Sequence, residues 1–213
     1  MLEKLKFGLT ANIKRNYLIN SLPYFENLSI LGLKYFSGDY SPVSYCLSSC
    51  LKLKNLNISF FEIDSHNLSK SLLITLKDLE NLTIKVSENC EEFAKAICSN
   101  LFEIRYLDLF SCCKLSDNSI QIFCKLKKLE VLKLEWLSLS GIGFQLLCSL
   151  KELHCNRCPK LQDDNLIRLL KCAKNIELID IRDCIIVTSS VINTAINARG
   201  QQLSSKKKNF KKK

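Results

Sequence analysis

The 213-residue chain is 47% apolar with a formal charge of +10, enough apolar side chain for a sizeable core. Six of those charges are Lys206, Lys207, Lys208, Lys211, Lys212 and Lys213; without them 25 basic residues stand against 21 acidic ones, which excludes a uniformly basic polyanion-coating surface. No apolar run approaches the roughly 18 residues of a membrane span, and Met1-Leu-Glu-Lys-Leu-Lys lacks the uninterrupted apolar stretch of a signal peptide, so a cytoplasmic or nuclear protein without membrane contact is expected.

Along the chain, apolar residues recur at offsets 0, 3 and 5, usually with a small or apolar residue at 8. The registers are Leu2/Leu5/Phe7/Thr10, Phe25/Leu28/Ile30/Leu33, Leu53/Leu56/Ile58/Phe61, Leu79/Leu82/Ile84/Ser87, Ile104/Leu107/Leu109/Cys112, Leu129/Leu132/Leu134/Leu137, Leu150/Leu153/Cys155/Cys158 and Ile176/Ile179/Ile181/Cys184. Their leading residues are 23, 28, 26, 25, 25, 21 and 26 apart. Offsets of this kind fit neither a helix nor a simple alternating strand. They match the pattern L-x-x-L-x-L-x-x-(N/C) at a period of about 20 to 29 residues, that of leucine-rich repeats. The spacing therefore predicts a right-handed α/β solenoid of about eight units over residues 1–200, with a parallel concave sheet and convex helices, and a disordered lysine-rich tail over residues 201–213.

After each strand the periodicity turns helical. Ser65 precedes Leu68 and Leu72, Ser87 precedes Phe93 and Ile97, and Ser116 or Asp117 precedes Ile120, Phe123 and Leu126. Ser140 precedes Ile142 and Leu146, Asp163 or Asp164 can cap the helix that carries Leu166, Leu169 and Leu170, and Ser189 precedes Ile192 and Ile196. The short repeat from Leu129 holds Gly141 and Gly143, which predicts a helix of barely two turns. Pro42 suits a first helical turn, and Pro23 and Pro159 suit turns. Leu2 already belongs to a strand, which leaves no polar unit to cover the first edge.

Twelve cysteines in a chain of this kind read as reduced thiols rather than a disulfide framework. Cys112, Cys158 and Cys184 share the turn offset, where a small buried thiol fits. His154-Cys155-Asn-Arg-Cys158 contains a C-x-x-C, but there is no second ligand pair, and alternation along a strand turns His154 and Cys155 to opposite sides. No metal and no cofactor are expected. Catalytic fingerprints such as G-x-S-x-G, H-E-x-x-H or a P-loop are absent from the sequence. The expectation is a chain that binds rather than catalyses.

If Leu107 and Leu109 face the core, then Tyr106, Asp108 and Phe110 face the groove. The same offsets give Val131, Lys133 and Glu135, then Glu152, His154 and Asn156, then Leu178, Asp180 and Arg182, with Trp136 and Arg157 sharing the strand exit. The earlier repeats offer Asn55, Asn57, Ser59, Asn81, Thr83 and Lys85 instead. Aromatic and arginine side chains dominate interface energetics. A protein-binding patch is therefore expected on Tyr106, Phe110, Glu135, Trp136, His154, Arg157 and Arg182, with packing of Phe110 and Trp136 over the strand exit as the alternative.

Phe110-Ser-Cys112-Cys-Lys-Leu-Ser-Asp117 and Asn156-Arg-Cys158-Pro-Lys-Leu-Gln-Asp163 resemble the cysteine-containing leucine-rich repeats of F-box proteins. The likeness is best from Ile104 to Cys184. It implies recognition of a substrate for ubiquitin-dependent degradation; in that family a separate F-box module ahead of the repeats docks on a cullin ligase adaptor, whereas the Leu22-Pro23 pair here is embedded between repeats. The alternatives are a stand-alone adaptor or decoy without an F-box, and polyanion (nucleic acid) binding through the lysine tail.

Overall fold

The computed structural model describes residues 2–8, 20–36, 47, 49–60, 73–86, 89–110, 112 and 114–197. Eight strands follow one another in space as in sequence: β1 (Lys4–Gly8), β2 (Ile30–Phe36), β3 (Asn55–Phe60), β4 (Asn81–Ile84), β5 (Tyr106–Asp108), β6 (Val131–Lys133), β7 (Glu152–His154) and β8 (Leu178–Asp180). Every neighbouring pair is parallel. Each pass of the chain must therefore cross to the far side before returning, and the crossings carry α1 (Cys90–Asn100), α2 (Asp117–Phe123), α3 (Asp163–Cys172) and a last helix, α4, over residues 189–197.

The core lies between sheet and crossings. Register places Leu5, Leu31, Leu56, Leu82, Leu107, Leu132, Leu153 and Ile179 in one row across the sheet. Leu33, Ile58, Ile84, Leu109, Leu134 and Cys155 form the second inward row, all fully or almost fully buried. Each such leucine is worth about 1.5–3 kcal/mol in transfer terms. From the other side α1 contributes Phe93, Ala94, Ile97 and Cys98, α2 contributes Ile120 and Phe123, and α3 contributes Leu166, Leu169 and Leu170. Those are spacings of one helix face.

Four expectations change. The second repeat begins at Leu28, not Phe25: Leu31 rather than Leu28 pairs with Leu5 and Leu56. Leu28, Leu31 and Leu33 satisfy the same offsets, and this register spaces the first three leading residues 26 and 25 apart. Stacking favours the even spacing, and Ile30 moves to the open face of the sheet. In the Leu129 repeat the expected short helix is a single 3-10 turn, Phe144–Leu146, whose buried residue is Phe144, while Ile142 and Leu146 are exposed. Gly141 and Gly143 at φ 87° and 100° turn the chain there in a conformation that side chains resist.

The third change concerns Asp163, which does not cap its own helix. It is the first residue of α3, and its carboxylate accepts from Thr188 N at 2.9 Å, from Thr188 Oγ1 and from Ser190 Oγ in the following repeat. Asp117 does the same for Ser140 N (3.2 Å), Ser140 Oγ (2.8 Å) and Gly141 N (3.0 Å), and Glu91 accepts from Ser116 Oγ. An acid at each helix start thus stitches one repeat to the next. Fourth, Ile192 and Ile196 of α4 are 59% and 63% exposed, and Val191 is the buried residue. The expected helix after Ser65, Pro42, Cys113 and the tail 201–213 lie outside the described residues.

Gly143→Ala is expected to cost about 2 kcal/mol and lower the melting midpoint by roughly 4–8 °C in a thermal scan followed by circular dichroism. Its new Cβ would lie 2.9 Å from Gln121 Cγ and 3.2 Å from the Gln121 backbone nitrogen, at a φ of +100°. An unchanged midpoint would show that this turn has another way to close.

Candidate functional site

Where the strands end, the chain must leave the sheet and turn toward the helices. In three successive repeats it does so through a left-handed residue at one offset: Trp136 (φ 63°), Arg157 (φ 57°) and Asp183 (φ 61°). The backbone N–H of Trp136 donates to Asn156 O at 3.0 Å and that of Arg157 to Arg182 O at 2.9 Å, which carries the ladder one step beyond the strands. Behind them the turn thiols lock the rungs together. Cys158 Sγ donates to Leu134 O at 3.2 Å and Cys184 Sγ to Cys155 O at 2.9 Å, each reaching back one repeat. Burial pushes the Cys184 thiol up, so it stays protonated and able to donate.

With thiols inward, the left-handed residues project outward. Trp136 is 55% exposed. The Arg157 guanidinium stacks 4.2 Å from its ring centroid, and Arg157 Nε donates to Asp183 Oδ2 at 3.1 Å. The exposed cation–π contact contributes about 0.5–1 kcal/mol and the exposed ion pair about 0–1 kcal/mol. Their effect is to hold three side chains in one line along the rim.

Beside that rim the open face of β5 to β8 is a polar lattice. Tyr106 Oη donates to Asp108 Oδ2 at 3.3 Å, and Lys133 Nζ stands 5.4 Å from the Tyr106 ring centroid. Asn156, itself buried, donates to Glu135 Oε1 (3.3 Å) and Asp180 Oδ2 (3.0 Å) and accepts from Arg182 N (3.1 Å). Arg182 forks onto Asp180 at 2.9 and 2.8 Å and holds that carboxyl well below the usual range. His154 lies 3.3 Å from Glu152 Oε2 and 3.6 Å from Asp180 Oδ2. Burial pushes the Asp108 carboxyl up, only partly offset by Lys133 and Tyr106.

Because its folded-state affinity for protons is raised, ionised Asp108 costs stability at neutral pH, and that cost fades as pH falls through its folded range. Asp108→Asn is therefore expected to raise the melting midpoint at pH 7, with the gain shrinking toward pH 4. A lower midpoint at pH 7 would show that the Tyr106–Asp108–Lys133 contacts outweigh desolvation.

On the first four strands the open face differs. Asn81 Nδ2 donates to Asn55 Oδ1 at 2.6 Å, and a hollow of about 580 Å³ opens over Gly32, lined by Ile30, Asn55, Asn57, Asn81, Thr83 and Tyr106. On the opposite margin, one residue after the leading apolar residue of each repeat from Leu53 onward, charge alternates: Lys54 pairs with Glu80 (2.8 Å), and Glu130 takes both Arg105 (2.8 Å) and Lys151 (2.9 Å).

No protein-family model matches the chain, and no curated protein matches it. Among solved structures it is similar to an internalin from Listeria monocytogenes, with a TM-score of 0.56 and 18% identity over 91% of this chain and 64% of that one. This chain's fold is that of a leucine-rich-repeat solenoid. It spans 64% of the internalin's length, so the likeness speaks for architecture alone.

Within the solenoid, Glu135, Trp136, His154, Arg157 and Arg182 fall on the three adjacent rungs of β6, β7 and β8 and their exits. Tyr106 stands one rung away beside Lys133, and Phe110 sits half-buried at the exit of β5. Trp136 projects from the rim instead of packing beneath it. Cys155 is wholly buried while His154 is on the open face, so the two do not converge. Among the described residues no group of three or more histidine, cysteine or acidic side chains is placed to hold a metal, and no helix is long and apolar enough to cross a membrane. The sequence reading passed over Asp183, although it shares the offset of Trp136 and Arg157. It also passed over the Gly32 hollow, whose signal was a glycine inside a strand.

Proposed function

We propose that this solenoid is a non-catalytic protein-interaction module that grips its partner with the open face of β5 to β8 and the adjoining rim, through Tyr106, Phe110, Glu135, Trp136, His154, Arg157 and Arg182. The observation that carries the reading is Trp136: a large aromatic, 55% exposed, in a left-handed conformation that disfavours it, and clamped by Arg157. Exposed tryptophan and arginine in a fixed arrangement lose little entropy on binding and are the residue types of interface hot spots. The test is hydrogen exchange on the solenoid with and without a partner captured by the intact chain. Protection over residues 106–110, 131–136, 152–157 and 178–183 is expected. Protection confined to the strands around Gly32 would move the site to the amide-lined hollow.

The partner we favour is a substrate presented for ubiquitin-dependent degradation. Support comes from the turn cysteines, whose thiols bridge repeats at the offset that the F-box-type repeats reserve for cysteine. Co-purification of a cullin ligase adaptor together with the substrate is expected. A stable target complex without the adaptor would favour the stand-alone adaptor or decoy. Retention on RNA or DNA that disappears when Lys206 to Lys213 are deleted, and that falls steeply with salt, would identify a polyanion-binding tail instead.

A further inference from the structure

We propose that the C-terminal end of the solenoid is a self-association surface, through which two copies join β8 to β8 about a two-fold axis. Of the thirteen exposed large apolar residues among the described ones, five (Leu178, Ile185, Ile186, Ile192 and Ile196) lie in the last repeat. Between β8 and α4 runs a groove of about 290 Å³ lined chiefly by Ile176, Leu178, Ile179, Val191, Ile192 and Ile196. Contiguous apolar surface of this kind marks an interaction site.

The edge itself is open. Leu178 N and the carbonyls of Asp180 and Arg182 bond back toward β7, so by the alternation of a parallel ladder Ile179 and Ile181 turn their N–H and C=O groups the other way. Among the described residues no strand lies beyond them. An edge strand flanked by an apolar groove is a template for another strand.

A second copy fits this surface better than residues 198–213 do. Residues 198–213 offer only Ala198, Leu203 and Phe210 as apolar groups against Arg199 and six lysines, and burying lysine in an apolar groove is costly. An apolar row is complementary to itself across a two-fold axis, so no opposite partner surface is needed. The first edge cannot serve in its place. There β1 presents Lys4 and Lys6 on the open face, and stacking β1 of one copy on β8 of another would set Glu3 beside Glu177. The dimer is therefore closed, not a growing filament, and it leaves both open faces free.

Sedimentation of the full-length chain over a concentration series tests this. The mass should rise from 24.4 kDa to twice that value and stop. Hydrogen exchange at the concentrated end should gain protection only over residues 176–197. Ile192→Glu with Ile196→Glu should raise the dissociation constant roughly tenfold or more without altering the far-ultraviolet spectrum, since both side chains are exposed. Leu51→Glu, on an exposed leucine far from this end, should change nothing. A monomer at every concentration, a mass that keeps climbing, or protection appearing at β1 would each overturn the proposal.

Discussion

Trp136→Asn is expected to weaken partner binding about thirtyfold, as loss of a 2 kcal/mol hot spot would, while leaving the chain as stable as before or more so. A left-handed backbone costs an ordinary residue about 1–2 kcal/mol, and asparagine tolerates it far better. At φ 63° the tryptophan bears that cost. What the variant loses in the free protein is the stack on Arg157, about 0.5–1 kcal/mol at an exposed site. The two effects oppose each other, so the melting midpoint should hold or rise while titration calorimetry against the captured partner shows the loss. A residue that served only as packing would behave in the opposite way. A fall of many degrees with unchanged affinity would remove Trp136 from the binding surface.

Leu107→Ala is expected to destabilise the chain by about 2–5 kcal/mol, lowering the melting midpoint by roughly 4–20 °C. Leu107 is fully buried and stands in the inward row between Leu82 and Leu132. Because each unit of a solenoid leans on its two neighbours, the damage should be local first. Exchange should accelerate over β4 to β6 before it does so over β7 and β8. A loss below about 1 kcal/mol, beneath the range for such truncations, would mean that the row is not the spine of the fold.

Most of that spine could be read from the sequence because a leucine every 21 to 26 residues has few other uses. Where the chain offered two equally good sets, as at Phe25/Leu28/Ile30 against Leu28/Leu31/Leu33, the offsets could not choose. The neighbouring strands did, through even stacking. The crossings were less legible because their helices are short and their inward residues are settled by what lies opposite. Phe144 turns in where Ile142 was expected, since two left-handed glycines rotate that turn, and Val191 turns in where Ile192 and Ile196 were expected. Asp163 looked like a cap because an acid before an apolar run usually is one. Its actual partners, Thr188 and Ser190, belong to another repeat, and no local pattern names them. The facing of Tyr106, His154 and Arg182 followed from strand alternation. The shared strand exit of Trp136 and Arg157 followed from the repeat offset, but its left-handed backbone did not, because tryptophan and arginine give no hint of one.

The alternating charges on the margin opposite the rim give the array a parity. From Lys54 the signs run plus at Lys54, minus at Glu80, plus at Arg105, minus at Glu130, plus at Lys151 and minus at Glu177. Excising the single unit that carries Glu80 would bring Lys54 against Arg105, whereas excising two consecutive units would preserve every opposite-sign neighbour. On this margin the charge pattern therefore repeats over two coils, while the buried leucine row repeats over one.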